Sequence, residues 1–325
     1  MKKTSQIKEF DLIAKIKKEF SFKDPDVIVN IGDDSAVLNF SGKKLFLTKD
    51  ILVEDVHFKL SFNPPYYLGR KSLAVNLSDL AAMGAKPSYA LLGLCLSHKI
   101  DKKWMREFLK GFKSICNEFN VHLIGGDISS SKKVFISVTL IGEGDKVIER
   151  KGAKPGDIIF VSGFLGNASY GLNLLKKGIK LGEDKKYDFF IETFLDPKPK
   201  VKLGQILKTK NIVSSMIDIS DGLSVDLFNL CEASNVGAVI YQNKLPVSDH
   251  LLSEKIKEKY RFILHGGEDY ELLFTVPPFK IKEIEALDEK VTSIGYIVER
   301  DKGIKIIDFE GKEAFLEKKG YEHLI

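Results

Sequence analysis

The chain has 325 residues, 44% hydrophobic and 29% charged, with a formal net charge of +5. That length predicts two domains with a shared interface, and the composition excludes a disordered or low-complexity protein. The lysines are dispersed along the chain, which argues against a nucleic-acid binder, and no run approaches the roughly 20 apolar residues of a membrane span.

Cys95, Cys116 and Cys231 lie far apart, without a CxxC or a Cys/His cluster. That spacing argues against a disulfide framework or a structural zinc site and predicts a reducing, cytoplasmic setting. The opening "MKKTSQIKEFDLIAKIKKEF" mixes charge with isolated apolar residues and predicts an amphipathic helix, since a secretion signal needs a continuous apolar run. Strands are predicted for "DVIVNIG", "KLFLTKD", "SYALLGLCLS", "VHLIGG" and "VFISVTLIGEG". Between them, "PYYLGRKSLAVNLSDLAAMGA" and "DKKWMREFLKGFKSICNEF" carry helical spacing, the first stopped by Gly84 and Pro87, the second capped by Asp101. At "ERKGAKPGDIIFVSG" a Gly/Pro turn precedes a fresh buried strand, which sets the expected boundary between domains 1–148 and 149–325. The second half then continues with "NASYGLNLLKKG", "GLSVDLFNLCEAS", "GAVIYQ" and "YELLFTVP". The expected fold class is mixed α/β (α+β) in two domains.

Aspartates recur where apolar segments end. Asp33 and Asp34 sit in "NIGDDSAVL", Asp50 ends "LFLTKD", Asp79 lies inside "LAVNLSDLAAMGA", Asp127 follows "LIGG", and Asp218 and Asp221 flank "IDISDG". Taken singly, each reads as a helix cap or turn residue. Together, in apolar surroundings, they need cations, and an oxygen-only set suits magnesium better than zinc. The glycines of "IGGD" and "VSGFLGNASYGL" would let backbone amides meet phosphate, although such junctions are commonly plain connections. There is no GxxxxGK[ST], GxGxxG or kinase-type signature.

The motifs "IGDDSAVL", "LTKDILVEDVHF", "KSLAVNLSDLAAMGAKP", "LIGGDISSS", "RKGAKPGD", "IDISDGL", "HGGEDYELLFTVP" and "KKGYEHL" resemble, in order, those of the thiamine-monophosphate kinase family. The wider superfamily includes aminoimidazole ribonucleotide synthetase and selenophosphate synthetase. The resemblance implies ATP-dependent phosphorylation of thiamine monophosphate to thiamine diphosphate, with several magnesium ions. It also implies an N-terminal α/β domain that pairs in a homodimer. By motif, the magnesium ligands would be Asp34, Thr48, Asp50, Asp79, Asp127, Asp218 and Asp221. ATP would meet Gly126, Asp127, Arg150 and Ser220, and thiamine monophosphate would meet His57, Glu268 and Tyr321. Lys49, Asp55, Ile128 and Leu324 depart from the family pattern. His98, His122 and His250 have no motif around them.

A phosphate acceptor is mostly dianionic at pH 7, so no general base is expected. The obstacle is repulsion between two polyanions, which metal-held geometry lowers. Two other readings remain open from sequence: another ATP-dependent enzyme of the superfamily, such as one acting on formylglycinamidine ribonucleotide, or a non-catalytic nucleotide-binding homologue.

Overall fold

A computed structural model describes residues 24–322 together with Ile13, Lys17 and Lys18. Apart from those three residues, the helix expected at the start of the chain lies outside the described residues, as does Leu324.

The first half forms a six-stranded sheet from β1 (Val27–Val29), β2 (Ala36–Phe40), β3 (Lys43–Val53), β4 (Lys86–Leu96), β5 (His122–Ser130) and β6 (Phe135–Gly144). Its order is β1-β2-β3-β6-β4-β5. Only β4 and β5 run parallel, because helix α2 (Lys102–Glu118) carries the chain back between them. The Asp101 side chain caps α2 by accepting from the Trp104 amide at 2.7 Å, as its sequence position implies.

Helix α1 (Pro65–Ala82) joins β3 to β4 and is buried along most of its length, from Leu68 to Ala82. A helix with little polar surface must be covered on several sides. Here it packs on β3 and β6, against α2, and against β8 and α5 of the second half. It passes α2 so closely that a Cβ on Gly111 would stand 1.9 Å from the Tyr66 carbonyl oxygen.

The second half forms a seven-stranded sheet in the order β13-β12-β9-β11-β7-β10-β8. Its strands are β7 (Ile158–Ser162), β8 (Ser215–Ile219), β9 (Gly237–Tyr241), β10 (Glu271–Val276), β11 (Val291–Val298), β12 (Ile304–Ile307) and β13 (Glu313–Phe315). Helices α3 (Asn167–Lys176), α4 (Lys185–Leu195), α5 (Val201–Thr209), α6 (Leu223–Ser234), α7 (Asp249–Ser253), α8 (Lys259–His265) and α9 (Ile281–Glu285) complete it.

The period-2 alternation of these strands divides the apolar side chains between two cores. Ile217, Ile219, Ile159, Val161 and Leu273 pack with α3, α4, α6 and α8. Met216, Phe160, Leu272 and Phe274 point the other way, into the core that holds α1 and the first sheet. The architecture is the expected mixed α/β, with α1 lying between two sheets.

Candidate active site

That sandwich brings distant aspartates together. On β3, Phe46, Thr48 and Leu52 are buried on the α1 side, and Asp50 shares their alternation. Asp218 lies between Ile217 and Ile219 on β8, so it shares the face of Met216 and turns toward α1. Carboxylate oxygens of Asp34, Asp79 and Asp218 lie within 4.8 Å of one another. Thr48 Oγ1 donates to Asp79 Oδ2, and Ser78 Oγ donates to Asp218 Oδ2 at 2.6 Å. The Arg150 guanidinium binds Asp34 Oδ1 at 2.5 Å and stands 3.8 Å from Asp33 Oδ1, while its amide donates to Asp33 Oδ2.

So many buried acids cannot all ionise alone. Burial, then the charges of Asp50, Asp218 and Asp34, raises the Asp79 carboxyl well above its usual range, against a lowering by the Thr48 hydroxyl. Asp218 is pushed up to about 8 by burial and by Asp34, Asp50 to about 6 by burial, and Asp33 to about 7 by burial and Asp34. Without a cation the cluster retains protons. A divalent cation would replace them, and Asp34 Oδ2, buried without a hydrogen-bond partner, is a donor atom already aimed inward. The all-oxygen donor set fits magnesium.

The other expected residues divide. Gly126 and Asp127 lie on β5, the exposed edge strand, and Asp127 does not join the three converging acids. Three strand spacings separate β5 from β3, roughly 14 Å. The tightness at Gly126 also has a local cause: a Cβ there would stand 1.9 Å from the Leu92 carbonyl oxygen, so strand pairing itself requires glycine. The start of α3, expected as a candidate phosphate site, is already occupied. Asp269 accepts from the Gly166 and Ala168 amides at 2.8 and 3.4 Å.

Ser220 and Asp221 form the turn after β8 and line a cavity of about 1510 Å³ with Asp50, Asp79 and Asp218. Beneath that turn lies Asp226, a residue the sequence reading missed. It accepts from the Asp221 and Gly222 amides at 3.2 and 3.1 Å, and burial followed by the charges of Asp221 and Asp218 raises its carboxyl well above the usual range. The available signal was its place four residues after Gly222 in "DGLSVDL", the spacing that folds a helical side chain back onto its own first turn.

His57, Glu268 and Tyr321 line the same cavity. The His57 Nδ1 accepts from the Val53 amide at 3.0 Å, and its ring centroid is 6.5 Å from that of Tyr321. The Tyr321 amide donates to the Asp221 carbonyl, which ties the C-terminal segment to the acidic turn. Glu268 has a left-handed backbone, φ 75°, and an ion pair with Lys71, a second residue missed from sequence.

Two departures from the family pattern find explanations. Lys49 alternates away from Thr48 and Asp50 and reaches Ser137 Oγ at 2.6 Å on the outer face, so it leaves the acidic side undisturbed. Asp55 has φ 69°, where glycine is the unstrained choice. Ile128 is 72% exposed on β5.

The family described as AIR synthase related protein matches twice, its N-terminal domain over residues 32–143 and its C-terminal domain over residues 154–308. The thiamine-monophosphate kinase of Buchnera aphidicola subsp. Schizaphis graminum is 40% identical over 98% of this chain and 99% of its own. That of Escherichia coli K12 is 38% identical over 97% and 98%. The solved structure "AaThiL complexed with AMPPCP and TMP" superposes with a TM-score of 0.87 at 36% identity, covering 97% of each chain. The hydrogenase maturation protein HypE with ATP shares the fold at 18% identity and a TM-score of 0.70. Matched along nearly its whole length in sequence and in fold, the chain belongs to the thiamine-monophosphate kinase family.

Proposed function

We propose that the chain transfers the terminal phosphoryl group of ATP to the phosphate of thiamine monophosphate, giving thiamine diphosphate and ADP. The bond between the terminal phosphorus and the ADP oxygen breaks, and a bond forms from that phosphorus to an acceptor phosphate oxygen in line with it. The observation that carries the reading is the placement of Asp50, Asp79, Asp218 and Asp221 on the wall of a cavity that His57, Glu268 and Tyr321 also line.

Asp34, Asp50, Asp79 and Asp218, with Thr48, would hold magnesium between donor and acceptor. Asp127 on β5 and Asp221 after β8 would serve separate positions, which suits several ions better than one. Magnesium, when bound, neutralises phosphate charge and fixes the geometry of the transfer. Arg150 offers a guanidinium already set against Asp33 and Asp34, and a nucleotide phosphate would share it. Gly126 and Ser220 present backbone and hydroxyl groups to ATP. At the thiamine end, Tyr321 supplies an aromatic face and Glu268 a carboxylate for a cationic ring. No side chain need remove a proton, since the acceptor is already an anion.

The first sheet exposes Ile51, Tyr89 and Leu91 on its outer face and Leu123, Ile124 and Ile128 along its edge strand β5, apolar surface suited to pairing with a second copy. We read the chain as a homodimer built on this sheet and its β5 edge, in the cytoplasm, with its two domains meeting near Glu149.

Release of ADP in a coupled assay with ATP, magnesium and thiamine monophosphate tests the reaction, formylglycinamidine ribonucleotide serving as the competing acceptor. Turnover with thiamine monophosphate alone is expected. Turnover with the nucleotide acceptor, or nucleotide binding without product, would overturn the assignment.

A further inference from the structure

Lys71 is 1% exposed, in the middle of α1. Its ammonium pairs with Glu268, donates to the Phe194 carbonyl at 3.0 Å and lies 3.6 Å from the centroid of the Phe194 ring. Both partners line the cavity, and neither belongs to the first sheet or its helices. Glu268 belongs to the loop between α8 and β10, and Phe194 to α4. One buried cation from α1 therefore gathers two walls of the thiamine end.

The loop that carries Glu268 needs such support. Its backbone is left-handed at Glu268 and again at Tyr270, conformations that persist where surrounding contacts over-determine them. The Glu268 amide donates to the Ser220 carbonyl at 2.8 Å and the Tyr270 amide to Ile219 at 2.9 Å, so the loop is pressed on the acidic turn. Those bonds fix the main chain. For the carboxylate, Lys71 is the ion-pair partner. Desolvation of Lys71 opposes its charge, and the adjacent Glu268 sustains it.

We infer that Lys71 is a positioning residue for the acceptor substrate: it fixes the Glu268 carboxylate against the cavity and thereby sets affinity for the cationic thiamine moiety, without contributing to nucleotide binding. This inference rests on the proposed thiamine monophosphate acceptor. A purely structural lysine would change folding stability and leave the two substrates' affinities alike; a positioning lysine separates them.

The test is a double-variant cycle on full-length protein, with Lys71→Met, Glu268→Gln and their combination. Kd is measured by calorimetry for thiamine monophosphate and, separately, for a non-hydrolysable ATP analogue with magnesium. Lys71→Met is expected to weaken thiamine monophosphate about tenfold or more, the scale on which partners that orient a binding group act. Nucleotide affinity should stay within about twofold. In the combined variant the acceptor Kd should equal that of Glu268→Gln alone, because Lys71 acts through that carboxylate. If Lys71→Met does not fold, the combined variant, which carries no unpaired charge, is compared with Glu268→Gln and decides the matter. A folded Lys71→Met with native acceptor affinity, or two effects that multiply, overturns the inference while wild-type turnover of thiamine monophosphate leaves the functional reading standing. Absence of wild-type turnover overturns both.

Discussion

Asp79 shows how one residue collects its meaning from three others. Its carboxylate meets Asp34 and Asp218 and accepts from Thr48, so it is at once the most crowded charge and the natural bridge between the sheets. Asp79→Asn keeps the shape and removes the charge. Turnover should fall about 100-fold or more, the scale of losing one electrostatic stabiliser of a transition state, with a weaker response to magnesium. Steady-state kinetics across a magnesium titration would check it, and near-native kinetics would count against the cluster as the metal site.

The same crowding has a pH signature. Asp218 and Asp50 titrate at about 8 and about 6 in the fold, against about 3.9 when unfolded. The native state thus binds more protons than the unfolded state between these values, and stability falls as pH rises. Their contribution is fully present below the unfolded value and is lost as pH climbs through 6 and 8. Magnesium held by the cluster would displace those protons, so its stabilising effect should grow over the same window. Thermal unfolding with EDTA should show Tm decreasing from pH 5 to 8.5, and the magnesium-induced rise in Tm should be larger at pH 8 than at pH 5.5. A magnesium effect independent of pH would contradict the proton–metal exchange.

At the scale of elements, α1 decides the site because both sheets close on it. Its crossing with α2 depends on two glycines: a Cβ on Gly69 would stand 2.1 Å from the Phe108 carbonyl oxygen, and one on Gly111 1.9 Å from that of Tyr66. Gly→Ala in a helix ordinarily stabilises by about 1 kcal/mol through propensity. Here backbone stands in the way and cannot rotate aside, so the overpacking cost of about 1–3 kcal/mol or more should win. Gly111→Ala is expected to lower unfolding free energy in urea by about 2 kcal/mol, with activity reduced as α1 shifts. Unchanged or increased stability would show that the helices can separate at no cost.

For the whole molecule, the first sheet leaves apolar side chains uncovered along its edge strand β5. Leu123, Ile124 and Ile128 on β5 are 47%, 58% and 72% exposed. If this edge pairs two copies, Ile128→Lys should shift the protein to monomer in analytical ultracentrifugation while the fold, followed by circular dichroism, stays intact. A wild-type protein that sediments as a monomer would remove the homodimer.

Much of this was legible in the chain because local signals and the tertiary answer agreed. The Asp101 cap, the apolar strands and the buried helix around "LAVNLSDLAAMGA" are readable from periodicity and punctuation. Strands β11–β13 and helices α4 and α5 went unread, although α4 has a cap in Asp184 and helical spacing of Phe190, Ile191, Phe194 and Leu195; "VTSIGYIV", by contrast, carries Gly295 in its centre, where a bulge shifts the register against β7. Lys71 was missed for a different reason: its partner, Glu268, becomes visible only when helix and loop are placed in contact. Asp226 was overlooked although its bonds to the turn at Asp221 and Gly222 are local.

By itself, then, the amino-acid order determined the mixed α/β class, the family and the presence of acids at the ends of apolar segments, since each depends on residues near one another in the chain. Tertiary structure alone decided which acids meet. Strand alternation and the position of α1 between two sheets join Asp34, Asp79 and Asp218, and Asp127, on the edge strand β5, is not among those three. Convergence is a property of distances in space, and spacing along the chain does not encode it.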